Sequence, residues 1–173
     1  MAVVGVKNTC AKHEAGINKQ YKRNQSNLAS YTQKIMEMVQ VPTMAKDDAK
    51  ELITAAIQGR YGKDGSKAVF QFLQEQNHTV DAALYRNLQQ AMEAGRDAFD
   101  NNQAQLMDRC GVYEEYMGTS PSGDIAGFIG FPNEGFLGDE DDPDIKCNPV
   151  ITKDTAEAFG TKRSAPLQLR PSK

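Results

Sequence analysis

The stretch Gly59–Ser66, GRYGKDGS, gathers three glycines and two cations, the residue types from which a phosphate-binding loop is built. A Walker-type loop requires Gly-x-x-x-x-Gly-Lys-Ser/Thr after a buried strand and at the start of a helix. Here Lys63 precedes the final glycine, and the upstream residues Ala49, Leu52, Ile53, Ala56 and Ile57 share one face of a helix. The stretch therefore reads as a hinge between two helices. Gly62 is placed to end the first in a left-handed conformation, and Asp64 or Ser66 to accept the free N–H groups that open the second. Amides at a helix start attract anions, so an anion or nucleotide held at Gly62–Ser66 is the minor alternative.

The other groups capable of chemistry are scattered. The two histidines, His13 in a helical stretch and His78 in a turn-like one, have no cysteine or carboxylate at ligand spacing, which argues against zinc. Neither sits among residues that suggest a nucleophile with its base. The helical carboxylates read as exposed. Asp139, Glu140, Asp141, Asp142 and Asp144 form an acidic loop that lacks the glycine and distal Glu of a calcium loop. Cys10, Cys110 and Cys147 contain no Cys-x-x-Cys pair and leave an odd thiol, so no disulfide framework is implied and a reducing compartment suits them. No cofactor, metal or catalytic residue is expected, and the chain reads as a non-enzyme.

The elements that must position these residues are two rods. Ile17, Tyr21, Asn24, Leu28, Tyr31, Ile35 and Met38 alternate steps of four and three, the apolar seam of a left-handed supercoil with Asn24 as its polar interruption. That helix runs from about Cys10 and should stop near Val41, before Pro42. Tyr85, Met92, Phe99, Leu106 and Tyr113 recur every seventh residue, flanked by Leu84, Ala91, Ala98 and Val112. Asp81 is placed to cap this second rod, and Gly118 with Pro121 closes it. Gly95 within it implies a close helix crossing. Asn102, Gln103 and Gln105 give it a polar middle that faces outward or meets a polar partner. Between the rods lie two shorter helices. The expected fold is an elongated antiparallel all-α bundle over residues 1–117, extended to about 137 by a Gly/Phe segment. An acidic loop and irregular tail follow over 138–173, with short extended pieces and a helical turn around Phe159.

In the Gly/Phe segment Asp124 is placed to cap a short turn carrying Ile125, Phe128 and Ile129. That turn either covers exposed core or offers an interaction patch, with Phe128 and Phe131 as its candidates. Tyr21, Lys22 and Arg23 form a second candidate interaction set, able to stack on and pair with an anionic partner. Their plainer reading is one core tyrosine beside two solvated cations. The 173 residues have 39% hydrophobic content and formal charge −3, and a mean hydropathy of −0.60. Such a balance disfavours a nucleic-acid partner. No run of apolar residues is long enough to span a bilayer, although Ala2–Val6 reads either as an ordinary start or as the last fragment of an anchor.

Three segments carry a family resemblance. QYKRNQSNL at Gln20–Leu28 resembles the first-helix motif of the LemA family. The segment Leu73–Met117 is similar to that family's long third-helix region, and AGFIGFP at Ala126–Pro132 resembles the Gly/Phe motif that follows it. The resemblance spans roughly residues 8–137. Departures are the family's anchor, absent unless AVVGV at Ala2–Val6 is its last fragment, Lys22-Arg23 for a common Arg-Arg with Ser26 for a proline, the lack of Trp, and an unmatched tail after Leu137. They suggest a divergent member, with a viral source as one reading. The resemblance implies an antiparallel bundle and an N-terminal membrane anchor that holds the bundle outside the cytoplasm. It brings no catalytic residues. The resulting expectation is an interaction or scaffold module at a membrane surface, its protein partner unidentified. A structural or assembly protein forming a homo-oligomer through its long helices is the alternative.

Overall fold

The computed structural model describes residues 2–39, 46–59, 65–75, 82–138, 142 and 144–150. Every regular element among them is a helix: α1 (Ala2–Val39), α2 (Lys46–Ile57), α3 (Gly65–Glu75), α4 (Ala82–Gly118) and α5 (Ser122–Phe128). The all-α bundle with two long and two shorter intervening helices is thus what the chain forms. At a rise of about 1.5 Å per residue, α1 and α4 are rods of roughly 55 Å built from 38 and 37 residues. They run antiparallel. Val6 and Cys10 of α1 pack with Cys110 and Tyr113 of α4, whereas Ile35 and Val39 pack with Leu88 and Met92.

Helix α1 starts at Ala2 rather than near Cys10, so the apolar Ala2–Val6 forms its first turns. Pro42, Thr43, Gly62, Asp64, His78, Asp81 and the tail beyond Val150 lie outside the described residues. Gly59, two residues past the end of α2, has a left-handed φ of 81°, its amide donating to Ala56 O at 3.2 Å. Arg96 Nη2 donates to the same carbonyl at 3.2 Å, placing a cation where the dipole of α2 is negative. Residues 60–64, the body of the glycine-rich stretch, lie outside the described residues, and α3 begins at Gly65.

Both seams are buried much as their spacing implies. In α1, Ile17, Asn24 and Ile35 are buried, while Tyr21, Leu28, Tyr31 and Met38 are half-buried. In α4, Met92, Phe99, Leu106 and Tyr113 are buried and joined by Leu88, Ala91 and Cys110. Val112 departs from its expected place on that side. It is 54% exposed, because the side facing α1 is filled by Cys110 and Tyr113. Gly95 does mark a close crossing, since an added Cβ would lie 3.4 Å from the Tyr31 side chain.

The core is divided. One apolar cluster joins the C-terminal half of α1 with α2, α3 and the start of α4. The other joins the start of α1 with the end of α4, α5 and residues up to Cys147. Between them sits a polar layer. Asn24 Nδ2 donates to Asn102 O at 3.0 Å, and Gln20 Nε2 donates to Asn24 Oδ1 at 3.0 Å. Asn102 is itself buried, whereas Gln103 is half-buried and Gln105 exposed, so the polar middle of α4 meets α1 at Asn102 and solvent at Gln105. A satisfied polar pair at a seam position fixes helix register, because any slip would leave these groups buried without partners.

Candidate functional site

The α5 end of the bundle concentrates the polar and exposed features, and Glu14 is its centre. One step along the α1 seam from Cys10, it is only 5% exposed. Tyr113 Oη, from the facing turn of α4, donates to Glu14 Oε1 at 2.9 Å. Asn133 N donates to the same oxygen at 2.8 Å, and Asn133 Nδ2 donates to Oε2. A buried carboxylate requires such donors. Here they also tie the segment after α5 to the two rods. Burial, then the Glu14 acceptor, pushes the Tyr113 hydroxyl far above its ordinary value of 10.0. Burial, reinforced by the Glu14 charge, pushes the Cys10 thiol above 9.0. Both therefore stay protonated at neutral pH, which makes Cys10 a poor nucleophile. The expectation that all helical carboxylates are exposed fails at Glu14, whose donors come from positions 113 and 133.

The cysteine expectation is also corrected. Cys110 and Cys147 form a disulfide across a separation of 37 residues, leaving Cys10 as the odd, buried thiol. The bond forms because the chain after α5 folds back along α4. Lys146 N donates to Gly135 O at 3.0 Å, and Lys146 Nζ lies 4.3 Å from the centre of the Phe136 ring. Closing a loop of this length contributes about 2–4 kcal/mol. Such bonds persist in oxidising surroundings rather than reducing ones.

Helix α5 is capped differently from the expectation. Pro121 precedes it without a side-chain cap, and Asp124 lies inside its first turn, accepting from Ser120 Oγ at 2.7 Å. Ile125 and Ile129 pack on the lower core, as does Phe131. Phe128 points away and is 90% exposed. Val3 and Val4 are exposed at the same end. The two aromatic candidates of the Gly/Phe segment thus part ways, Phe131 half-buried and Phe128 in solvent. The set in α1 parts similarly: Tyr21 packs on the core, while Lys22 and Arg23 are exposed.

His13 is held rather than free. Its ring stacks on Tyr113 at 5.5 Å and 16° and leans on Tyr116 at 5.5 Å and 35°. Beside it, Lys12, His13 and Gly16 of α1 and Asp108, Arg109 and Val112 of α4 line an open groove of about 360 Å³. A second cleft, of about 510 Å³, lies between α1 and α2, with Leu28, Thr32, Met36, Lys50 and Thr54 in its walls. No cluster of potential metal ligands occurs among the described residues, and none of the described helices is long and apolar enough to cross a membrane.

No protein-family model, curated protein or solved structure matches the chain.

Proposed function

We propose that this chain is a LemA-like, non-enzymatic interaction or scaffold module that docks through the α5 end of its bundle, at a membrane surface. The observation carrying this reading is an apolar residue, Phe128, left 90% exposed on a helix whose other apolar residues pack inward. Val3 and Val4, 51% and 62% exposed, extend the apolar character of that end, and Lys7 and Lys12 follow them on α1. Apolar residues bordered by cations suit the boundary between headgroups and acyl chains. The strongest acid–base candidate there, Glu14, is engaged by three structural donors. The Cys110–Cys147 bond supports a location outside the cytoplasm.

Flotation with phosphatidylcholine vesicles, with and without phosphatidylglycerol, tests the reading. The chain should float with the anionic vesicles, and Phe128→Asp combined with Val4→Asp should leave it at the bottom. Failure of the unaltered chain to float with either vesicle would refute the membrane role. A second reading, assembly into homo-oligomers, is favoured by Val112, an exposed apolar residue on the flank of α4. Light scattering that returns a multiple of 19.0 kDa at every dilution, lowered to a single chain by Val112→Asp, would support it instead.

A further inference from the structure

The groove between α1 and α4 has a composition that the apolar docking end does not explain. We infer that Lys12, His13, Gly16 and Arg109 form a binding site for a phosphate group carried by a small ester. Lys12 and Arg109 approach the groove from different helices and are both exposed. Neither side chain has an ion-pair or hydrogen-bond partner among the described residues. Lys12 and Arg109 outnumber the single carboxylate of the groove, Asp108, so its lining carries a net positive charge that attracts an anion. The guanidinium is specifically placed. A Cβ at Gly16 would lie 3.3 Å from Arg109 Nη1, so the missing side chain leaves room for Arg109 to lie against α1. Its planar fork matches two oxygens of a phosphate. Lys12 adds a point charge from the α1 side, and the His13 ring, which lines the same groove, is held by Tyr113 and Tyr116.

The remaining walls narrow the ligand class. Asp108 is an acceptor at the same groove; it repels a bare polyanion and accepts from a hydroxyl neighbouring the phosphate. Val112, 54% exposed, provides an apolar wall for a short carbon stem. Two cations, an acceptor and an apolar wall in one open groove suit a hydroxylated phosphate ester such as a glycerol phosphate. The same chemistry is found in a free ester and in a lipid headgroup. Only the headgroup source rests on the membrane reading above; the groove itself does not.

Amide NMR on the full oxidised chain, titrated with inorganic phosphate, glycerol 3-phosphate and acetate, tests the site. Vesicles containing phosphatidylglycerol form a separate arm by flotation. Glycerol 3-phosphate should shift the resonances of Lys12–Gly16 and Asp108–Val112, with phosphate weaker and acetate weaker again. Arg109→Ala should reduce the affinity about tenfold or more, the usual scale for a lost charge-assisted bond. Gly16→Leu grows a side chain into the groove and should abolish the shifts, with the thermal midpoint confirming an intact fold. If Arg109→Ala also weakens flotation, the source is a headgroup; if flotation is unchanged while the shifts are lost, it is a free ester. Shifts absent from these two segments, or equal for acetate and glycerol 3-phosphate, would overturn the proposal.

Discussion

Glu14 shows how a single residue can join distant parts of the chain. Its carboxylate receives the Tyr113 hydroxyl and both donors of Asn133, so it couples α1, α4 and the segment after α5. Glu14→Gln preserves shape but removes the charge and offers one acceptor to three donors. Urea unfolding should show a loss of about 1–3 kcal/mol, the cost of leaving a buried donor without its acceptor. A second expectation concerns alkaline pH. Cys10 and Tyr113 both have raised folded-state pKa values against ordinary ones of 9.0 and 10.0. Each keeps its proton in the folded chain when the unfolded chain has released it. Their contribution is thus full below about pH 9 and declines as pH rises through and above the unfolded values. Denaturation midpoints measured from neutral to strongly alkaline pH should fall across that window. Replacing Tyr113 by Phe should shallow the fall.

Among the helices, two glycines of different surroundings give opposite expectations. At Gly95 an added methyl meets Tyr31 at ordinary contact distance, 3.4 Å. Gly95→Ala should therefore keep the crossing and gain up to about 1 kcal/mol from helix propensity. At Gly123 the same methyl would overlap the carbonyl oxygen of Met117. Gly123→Ala should displace α5, lowering the thermal midpoint and exposing Ala126 and Ile125. Circular dichroism on both variants separates the two cases. The rods were legible in the sequence because a seam repeats locally: Ile17 to Met38 and Met92 to Tyr113 each state their own face. Pairings that depend on the return of a distant segment were not. Glu14 looks like any solvated helical carboxylate until Asn133 arrives, and Cys110 cannot choose between Cys10 and Cys147 until the chain folds back. Val112 was misplaced because a strict seven-residue repeat does not fix which flank of the seam is buried. Composition marks Phe128 and Phe131 alike, and only the orientation of α5 separates them.

At the scale of the whole molecule, the polar layer of Gln20, Asn24 and Asn102 separates two apolar clusters, one at each end of the rods. The end built from α2 and α3 has no large apolar residue fully exposed among the described residues. The other is held by Glu14 and the disulfide, yet leaves Phe128, Val3 and Val4 uncovered. A rigid rod with one apolar end is suited to presenting that end at a fixed distance from whatever binds elsewhere along it. Because the chain contains no Trp, single replacements report on each end separately. The most direct test compares Phe128→Trp with Glu75→Trp, the latter at the exposed end of α3, on adding phosphatidylglycerol vesicles. Emission from Phe128→Trp should move to shorter wavelength and be quenched by lipid-borne quenchers, while Glu75→Trp stays unchanged. An unmoved Phe128→Trp spectrum, or an equal shift from both ends, would contradict docking through the α5 end.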